Sequence, residues 1–289
     1  MKNYWFIGDI HGEVRLLNKL LEQVVRFDPE EIIFVGDYID RGPDSQQVID
    51  RITKLDVPAH CLLGNHEMLL LDALENAGFG HRPVELWFYN GGETTLQSFG
   101  FNSFFSFQSD IEPEYLRFFR NLKMNHEVHM TDQQRVMAVH AGVSPAIPLE
   151  DQMNMKNYRD LNKYLQEHHI DPGDSFLWVR EDFFNSPPGL WDGYLIVHGH
   201  TPVLKLKHFI SRKDQKNFLF VEDDLCIRKE TETGKIVSID IDSGSAVSGR
   251  LTGLGFFMGN EGESEDKVRM RSLTVTSGEI IPRDLGVAE

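Results

Sequence analysis

Five apolar runs in this chain end in short clusters of carboxylates, amides or imidazoles: "GDIHG" at 8–12, "GDYIDRG" at 36–42, "GNHE" at 64–67, "HAG" at 140–142 and "HGH" at 198–200. In open α/β sheets ligands bind beyond the carboxyl ends of strands, so clusters at such positions are placed to converge on one crevice. Convergence brings Asp9, Asp37 and Asp40 together in partly dry surroundings, where like charges raise one another's pKa and oppose folding. A cation removes that conflict. Carboxylate and amide oxygens combined with neutral imidazoles, and no thiolate, suit manganese, iron or zinc better than calcium or a purely oxygen-ligated magnesium. The number of ligands suits two divalent ions that share a carboxylate.

The elements that must hold these turns are readable from hydrophobic periodicity. "NYWFI" predicts a strand; Val14, Leu17, Leu21 and Val24, widened by Leu16 and Leu20, predict a helix. "EIIFVGD" repeats the strand, "SQQVIDRITKL" the helix, "PAHCLLGN" a third strand, and "EMLLLDALENAG" a helix closed by Gly78. Such alternation predicts a parallel α/β sheet. From about 79 to 123 the chain reads as an aromatic-rich, irregular cap or core region leading into the helix "EPEYLRFFRNL". The hairpin "HEVHMTDQQRVMAVHAGV", turning at Thr131 to Gln134, then "LIVHGHTPV", "KIVSIDID" and "KVRMRSLTV", predict a second sheet packed on the first, hence an α/β sandwich. With no repeat or convincing linker, residues 1–289 read as a single domain, with "MGNEGESED" at 258–266 as a mobile loop.

Bulk properties narrow the function further. A chain of 289 residues with 40% hydrophobic content can bury a large core. The formal net charge of -16 argues against a nucleic-acid groove or an anionic membrane as the main partner. Two cysteines, Cys61 and Cys226, indicate neither a disulfide framework nor a cysteine zinc site. "YWFIG" is cut off by Asp9 before it reaches signal-peptide length, and no apolar run approaches a membrane span, so a cytoplasmic location is expected. A P-loop and a G-x-S-x-G elbow are both missing from the sequence.

The ordered set "GDIHG … GDYIDRG … GNHE … HAG … HGH", with "LWVR" at 177–180, resembles the signature of the phosphoprotein phosphatase family of calcineurin-like metallophosphoesterases, especially its bacterial and phage-type members. The resemblance spans roughly residues 8 to 201. It implies a metallophosphoesterase β-sandwich of two mixed sheets flanked by helices. It further implies that Asp9 and His11 bind a first metal, Asp37 bridges, and Asn65, His140 and His198 complete the second site. Arg41 and Arg180 match the phosphate-clamping arginines, whose planar forks hold phosphoryl oxygens, with Asn65 beside them. His66 matches the general acid, oriented by Asp40. His200 is placed at the outer shell or the rim, and His81, His126, His129 and His208 have no supporting cluster. A general acid supplies only ~10²–10⁴ of the rate gain in such hydrolysis, so most of it must come from two metals that activate water for direct attack on phosphorus, with no phosphoenzyme.

A serine/threonine phosphoprotein, or another phosphomonoester, is the expected substrate. The alternative is hydrolysis of dinucleoside polyphosphates, because related hydrolases resemble this chain at "NGG" (90–92) and at "IDIDSGSAVSGRLT". Asp40 favours the first reading, since the symmetrical dinucleoside hydrolases typically carry a neutral residue there. A third reading, a non-catalytic scaffold on this fold, is disfavoured by the complete set of matched ligands. One departure stands out: phosphoprotein-directed members often have an arginine before "GNHE", where this chain has Leu63.

Overall fold

Two six-stranded sheets face each other in the computed structural model, which describes residues 2–76, 82–132, 134–191, 193–259 and 267–288. The first sheet contains β1 (Asn3–Ile7), β2 (Glu31–Phe34) and β3 (Ala59–Cys61). The second contains β4 (His126–His129), β5 (Arg135–Ala138), β6 (Tyr194–His198), β7 (Phe218–Val221), β8 (Leu225–Lys229) and β9 (Ile236–Asp240). The chain then returns to the first sheet with β10 (Leu251–Met258), β11 (Val268–Val275) and β12 (Ile280–Val287). Strand order is β12-β11-β10-β1-β2-β3 in one sheet and β4-β5-β6-β9-β8-β7 in the other. Each is mixed: β1, β2 and β3 run parallel while β10 pairs antiparallel with β1, and β5, β6 and β9 run parallel while β4 and β8 flank them antiparallel.

Alternation along the strands sorts side chains between layers. Phe6 and Ile33 face the inter-sheet core with Val136, Val197, Ile239, Leu254 and Phe256, whereas Trp5, Ile7, Ile32 and Phe34 face outward. Helix α1 (Val14–Val24) covers that outer face with Leu17, Leu20, Leu21 and Val24, joined by α2 (Ser45–Thr53) and α3 (Asn65–Asn76). Strands buried on both faces cannot show a polar alternation, which is why they read as continuous apolar runs.

Two expectations change. The strand in "KVRMRSLTV" belongs to the first sheet, because β10 pairs with β1 and carries β11 beside it. The aromatic middle is helical where it is described: α4 (Arg82–Tyr89), α5 (Gly92–Ser98), α6 (Phe104–Asp110) and α7 (Pro113–Arg120). Aromatic residues have low intrinsic helix propensity, and Gly91 (φ 105°) and Gly100 (φ 77°) interrupt the chain, so only packing around Trp87 and Phe107 reveals these short helices. The Gly78 helix stop and residues 260–266 of the expected loop lie outside the described residues. Among the described residues no helix is long and apolar enough to cross a membrane.

The parallel strands place their carboxyl ends at one end of the sandwich. There Ile10 and His11 donate backbone N–H bonds to the Asp37 carbonyl, Gly199 donates to His140, and Ile241 donates to His198. His140 Nδ1–H on the Val35 carbonyl and the His200 N–H on Asp9 Oδ2 join the loops of the two sheets into one crevice.

Candidate active site and metal centre

The turns that form this crevice are strained at its functional positions. His11, Asp37, Asp40, Arg41 and His200 all have left-handed backbones, with φ from 46° to 71°. For residues with a Cβ this costs roughly 1–2 kcal/mol each and persists only where surrounding structure over-determines it. Glu67 provides that restraint for the Asp37 turn. Its fully buried carboxylate accepts N–H bonds from Asp37 (3.0 Å) and Gly64 (3.1 Å) on one oxygen, and from Tyr38 (2.8 Å) and Ile39 (3.2 Å) on the other.

The imidazoles are held with their lone pairs facing inward. His11 donates its Nδ1–H to the Ile39 carbonyl (2.9 Å), His140 its Nδ1–H to Val35 (2.9 Å), and His200 its Nε2–H to Trp178 (3.2 Å). The opposite nitrogens then present lone pairs to oxygens: His140 Nε2 and His200 Nδ1 lie 2.9 and 2.7 Å from Asn65 Oδ1. His140 Nε2 lies 3.5 Å from Asp37 Oδ1, and His11 Nε2 lies 3.5 Å from Asp37 Oδ2. Imidazole lone pairs facing carboxylate oxygens repel, and a cation among them removes the repulsion; donation of the outer ring N–H to a carbonyl is the habitual support of a metal-ligating histidine. Asp37 turns one oxygen to each group. Asp9 adds a buried Oδ1 with no hydrogen-bond partner, while its Oδ2 accepts the His200 N–H. The residues fit two cations on either side of Asp37.

Charge tells the same story. Burial raises the pKa of Asp9 well above the usual carboxylate value, with Asp242 and Asp37 adding to it. Burial also raises Asp242, to about 6, and Asp240 well upward. Asp37 moves the other way: burial pushes it up, but the imidazoles of His140, His66, His11 and His200 pull it down wherever they carry a second proton. Burial lowers His11, His140 and His200, keeping them neutral as ligands must be. A bound divalent cation reverses the pressure on the acids.

Beside this group His66 donates Nδ1–H to Asp40 Oδ2 at 2.8 Å, both side chains being fully buried. Trp87 Nε1–H reaches both Asp40 oxygens (3.1 Å each) and Thr95 Oγ1–H donates to Oδ1 (2.6 Å), so the carboxylate is held in a fixed position. Burial still raises the Asp40 pKa, against the His66 and Thr95 bonds. Arg41 lies across the mouth, with Nη1 2.7 Å from His11 Nε2 and Nη2 2.8 Å from His66 Nε2. Arg180 is half-buried, with its guanidinium carbon 5.8 Å from the Phe209 ring centroid. Among the described residues it makes no ion pair with Asp40 or Asp182.

Asp9, His11, Asp37, Asn65 and His140 are thus brought together, with Asp40, Arg41 and His66 adjoining. His198 is not. As the last residue of β6 it points to the layer behind, its ring 5.1 and 5.8 Å from Phe183 and Phe184, with Nδ1 bonded to the Gly199 carbonyl. Two residues on, the positive φ of His200 turns its ring into the crevice. Gly199 permits this because a Cβ there would run into Asp9. Periodicity also missed Glu67, Trp87, Thr95, Asp240 and Asp242; Glu67 and the two aspartates stand inside quoted motifs, whereas Trp87 and Thr95 carry no sequence signal. Leu63 is buried in the core, with its N–H on the Lys123 carbonyl.

The family model described as calcineurin-like phosphoesterase matches residues 2–230. The chain belongs to that family. Serine/threonine-protein phosphatase 1 of Salmonella typhimurium is 28% identical over 210 residues, covering 72% of this chain and 82% of that protein. A symmetrical bis(5'-nucleosyl)-tetraphosphatase of Legionella pneumophila is 28% identical over 191 residues, covering 66% of this chain and 59% of that protein. Serine/threonine-protein phosphatase 2 of Escherichia coli is 38% identical over 94 residues, 32% of this chain and 39% of that protein. This phosphoesterase therefore spans less than two thirds of the tetraphosphatase and most of phosphatase 1.

Glu67→Gln replaces an acceptor oxygen by an NH₂ facing two backbone N–H groups. Urea unfolding should show a stability loss of at least about 2 kcal/mol; a loss within ~0.5 kcal/mol would mean that the Asp37 turn does not depend on this carboxylate.

Proposed function

We propose that this phosphoesterase is a metal-dependent phosphomonoester hydrolase of the serine/threonine phosphoprotein phosphatase type. Asp9, His11, Asp37, Asn65, His140 and His200 would hold two divalent ions, manganese being the expected metal, with Asp37 between them. When bound, the ions supply Lewis-acid charge to the phosphoryl oxygens and acidify the attacking water. Arg41 and Arg180 clamp the phosphoryl group: Arg41 already aims two N–H groups into the crevice and needs only to turn from the imidazoles to phosphate oxygens. His66 keeps Nδ1–H on Asp40 and delivers a proton from Nε2 to the leaving oxygen.

The observation that carries this reading is the buried Asp40–His66 pair, 2.8 Å apart. An ionised partner stabilises an imidazolium, which protonation of a poor alkoxide leaving group such as serine requires; a phosphate leaving group requires it less. Dinucleoside polyphosphate hydrolysis remains the second reading because of the relatives with that name. Its "NGG" signal has a structural explanation here. The Gly91 carbonyl accepts the Arg41 N–H, and Gly92 lies so close to the Trp87 ring that a Cβ would clash. The stretch thus positions Arg41 and Trp87 whatever the substrate.

Measured on manganese-loaded enzyme, kcat/KM should be higher for a phosphoserine or phosphothreonine peptide than for diadenosine tetraphosphate. A preference for the dinucleotide by orders of magnitude would overturn the assignment. Metal content separates the two histidines: His200→Asn should lose manganese relative to wild type, while His198→Asn retains it. The reverse pattern would return the ligand role to His198.

A further inference from the structure

Glu31, His60 and His126 form a second cluster of ligand-type side chains, built from strands distant in the sequence. Glu31 Oε2 lies 2.9 Å from His126 Nε2 and 3.4 Å from His60 Nε2, and the two rings stack with centroids 3.9 Å apart. The ligand atoms all lie within 4.8 Å of one another. The side chains are 31%, 24% and 15% exposed in the order Glu31, His60, His126, so the cluster is sheltered yet open to solvent. His126 had no supporting cluster in the sequence; the fold supplies one by bringing β3, the edge of the first sheet, against β4, the edge of the second. Leu62 and Lys123 already bridge the same seam through their backbones.

We infer that Glu31, His60 and His126 constitute a separate mononuclear site for a borderline divalent cation of the zinc class, clipping the open edges of the two sheets together. Two imidazoles and a carboxylate are a three-residue set on which zinc binds with a fourth position left to water. Two N–H donors now share one carboxylate oxygen; a cation taking both Nε2 lone pairs and that oxygen satisfies all three groups at once. Burial lowers the pKa of both histidines, which leaves them neutral and competent to bind. Lys123 is the competitor. Its Nζ lies 2.9 Å from His60 Nδ1 and donates to it, whereas a neutral His60 that binds metal through Nε2 carries its proton on Nδ1. Metal binding must therefore release the exposed Lys123 ammonium to solvent.

The test is equilibrium dialysis of the full chain against zinc, with metal per chain counted by mass spectrometry and unfolding temperature measured in parallel. Wild type should hold one zinc more than His60→Ala or His126→Ala, and those variants should lose the corresponding part of the zinc-induced rise in unfolding temperature. Lys123→Gln should bind this zinc several-fold more tightly, and the near-isosteric Glu31→Gln at least about tenfold more weakly, a loss comparable to removing an outer-shell partner. Equal zinc content in wild type and in histidine variants that keep the wild-type circular dichroism would overturn the proposal. Should the histidine variants fail to fold, unchanged zinc affinity in Glu31→Gln would do so. None of these readouts depends on catalysis.

Discussion

Six buried acids, Asp9, Asp37, Asp40, Glu67, Asp240 and Asp242, crowd one end of this sandwich, and their mutual repulsion is the constraint around which the rest is arranged. Only some are neutralised within the chain. Glu67 spends its charge on backbone N–H groups, and Asp40 spends its charge on His66, Trp87 and Thr95. Asp240 and Asp242 each accept one backbone N–H, from Asp242 and Gly244. Asp9 keeps a buried Oδ1 with no hydrogen-bond partner, and Asp37 faces the imidazoles of His11 and His140, whose Nδ1–H groups are committed to backbone carbonyls and whose lone pairs point at it. Cations held among such a group of acceptors relieve that repulsion.

That arrangement explains why the backbone tolerates strain here. Five left-handed non-glycine residues cluster at this crevice, in the turns that follow β1, β2 and β6, and the two sheets fix the positions of those strands. Helices α4 and α5 serve the same end from outside: α4 supplies Trp87 and α5 supplies Thr95, so the orientation of His66 depends on a layer remote in sequence. Phe107 and Phe104 pack on Trp87 in turn, which couples the aromatic helices to the Asp40–His66 pair by contact.

Much of the fold was readable because its signals are local. The first three strands and α1 follow from alternation and helical periodicity, and the five polar clusters mark strand ends wherever the sheet is parallel. What failed did so for physical reasons. "HGH" offers two imidazoles two residues apart, and in a continuing strand both would share a face; the turn at Gly199–His200 breaks that rule and separates them. Helices α4 to α6 are too short to register as periodic, and they exist by packing. The return of β10 and β11 to the first sheet is a matter of long-range pairing that no window of sequence contains. His60 and His126 gain meaning only when two edge strands meet.

Anomalous diffraction from crystals grown with manganese tests the central claim most directly, because it locates cations without reference to activity. The account predicts two peaks about 3.5–4 Å apart, the spacing of two-metal hydrolytic sites, flanking the Asp37 carboxylate with Asp9 and His11 on one side and Asn65, His140 and His200 on the other. A crevice with no peak at saturating manganese, or a single peak that leaves one oxygen of Asp37 without a cation, would contradict it.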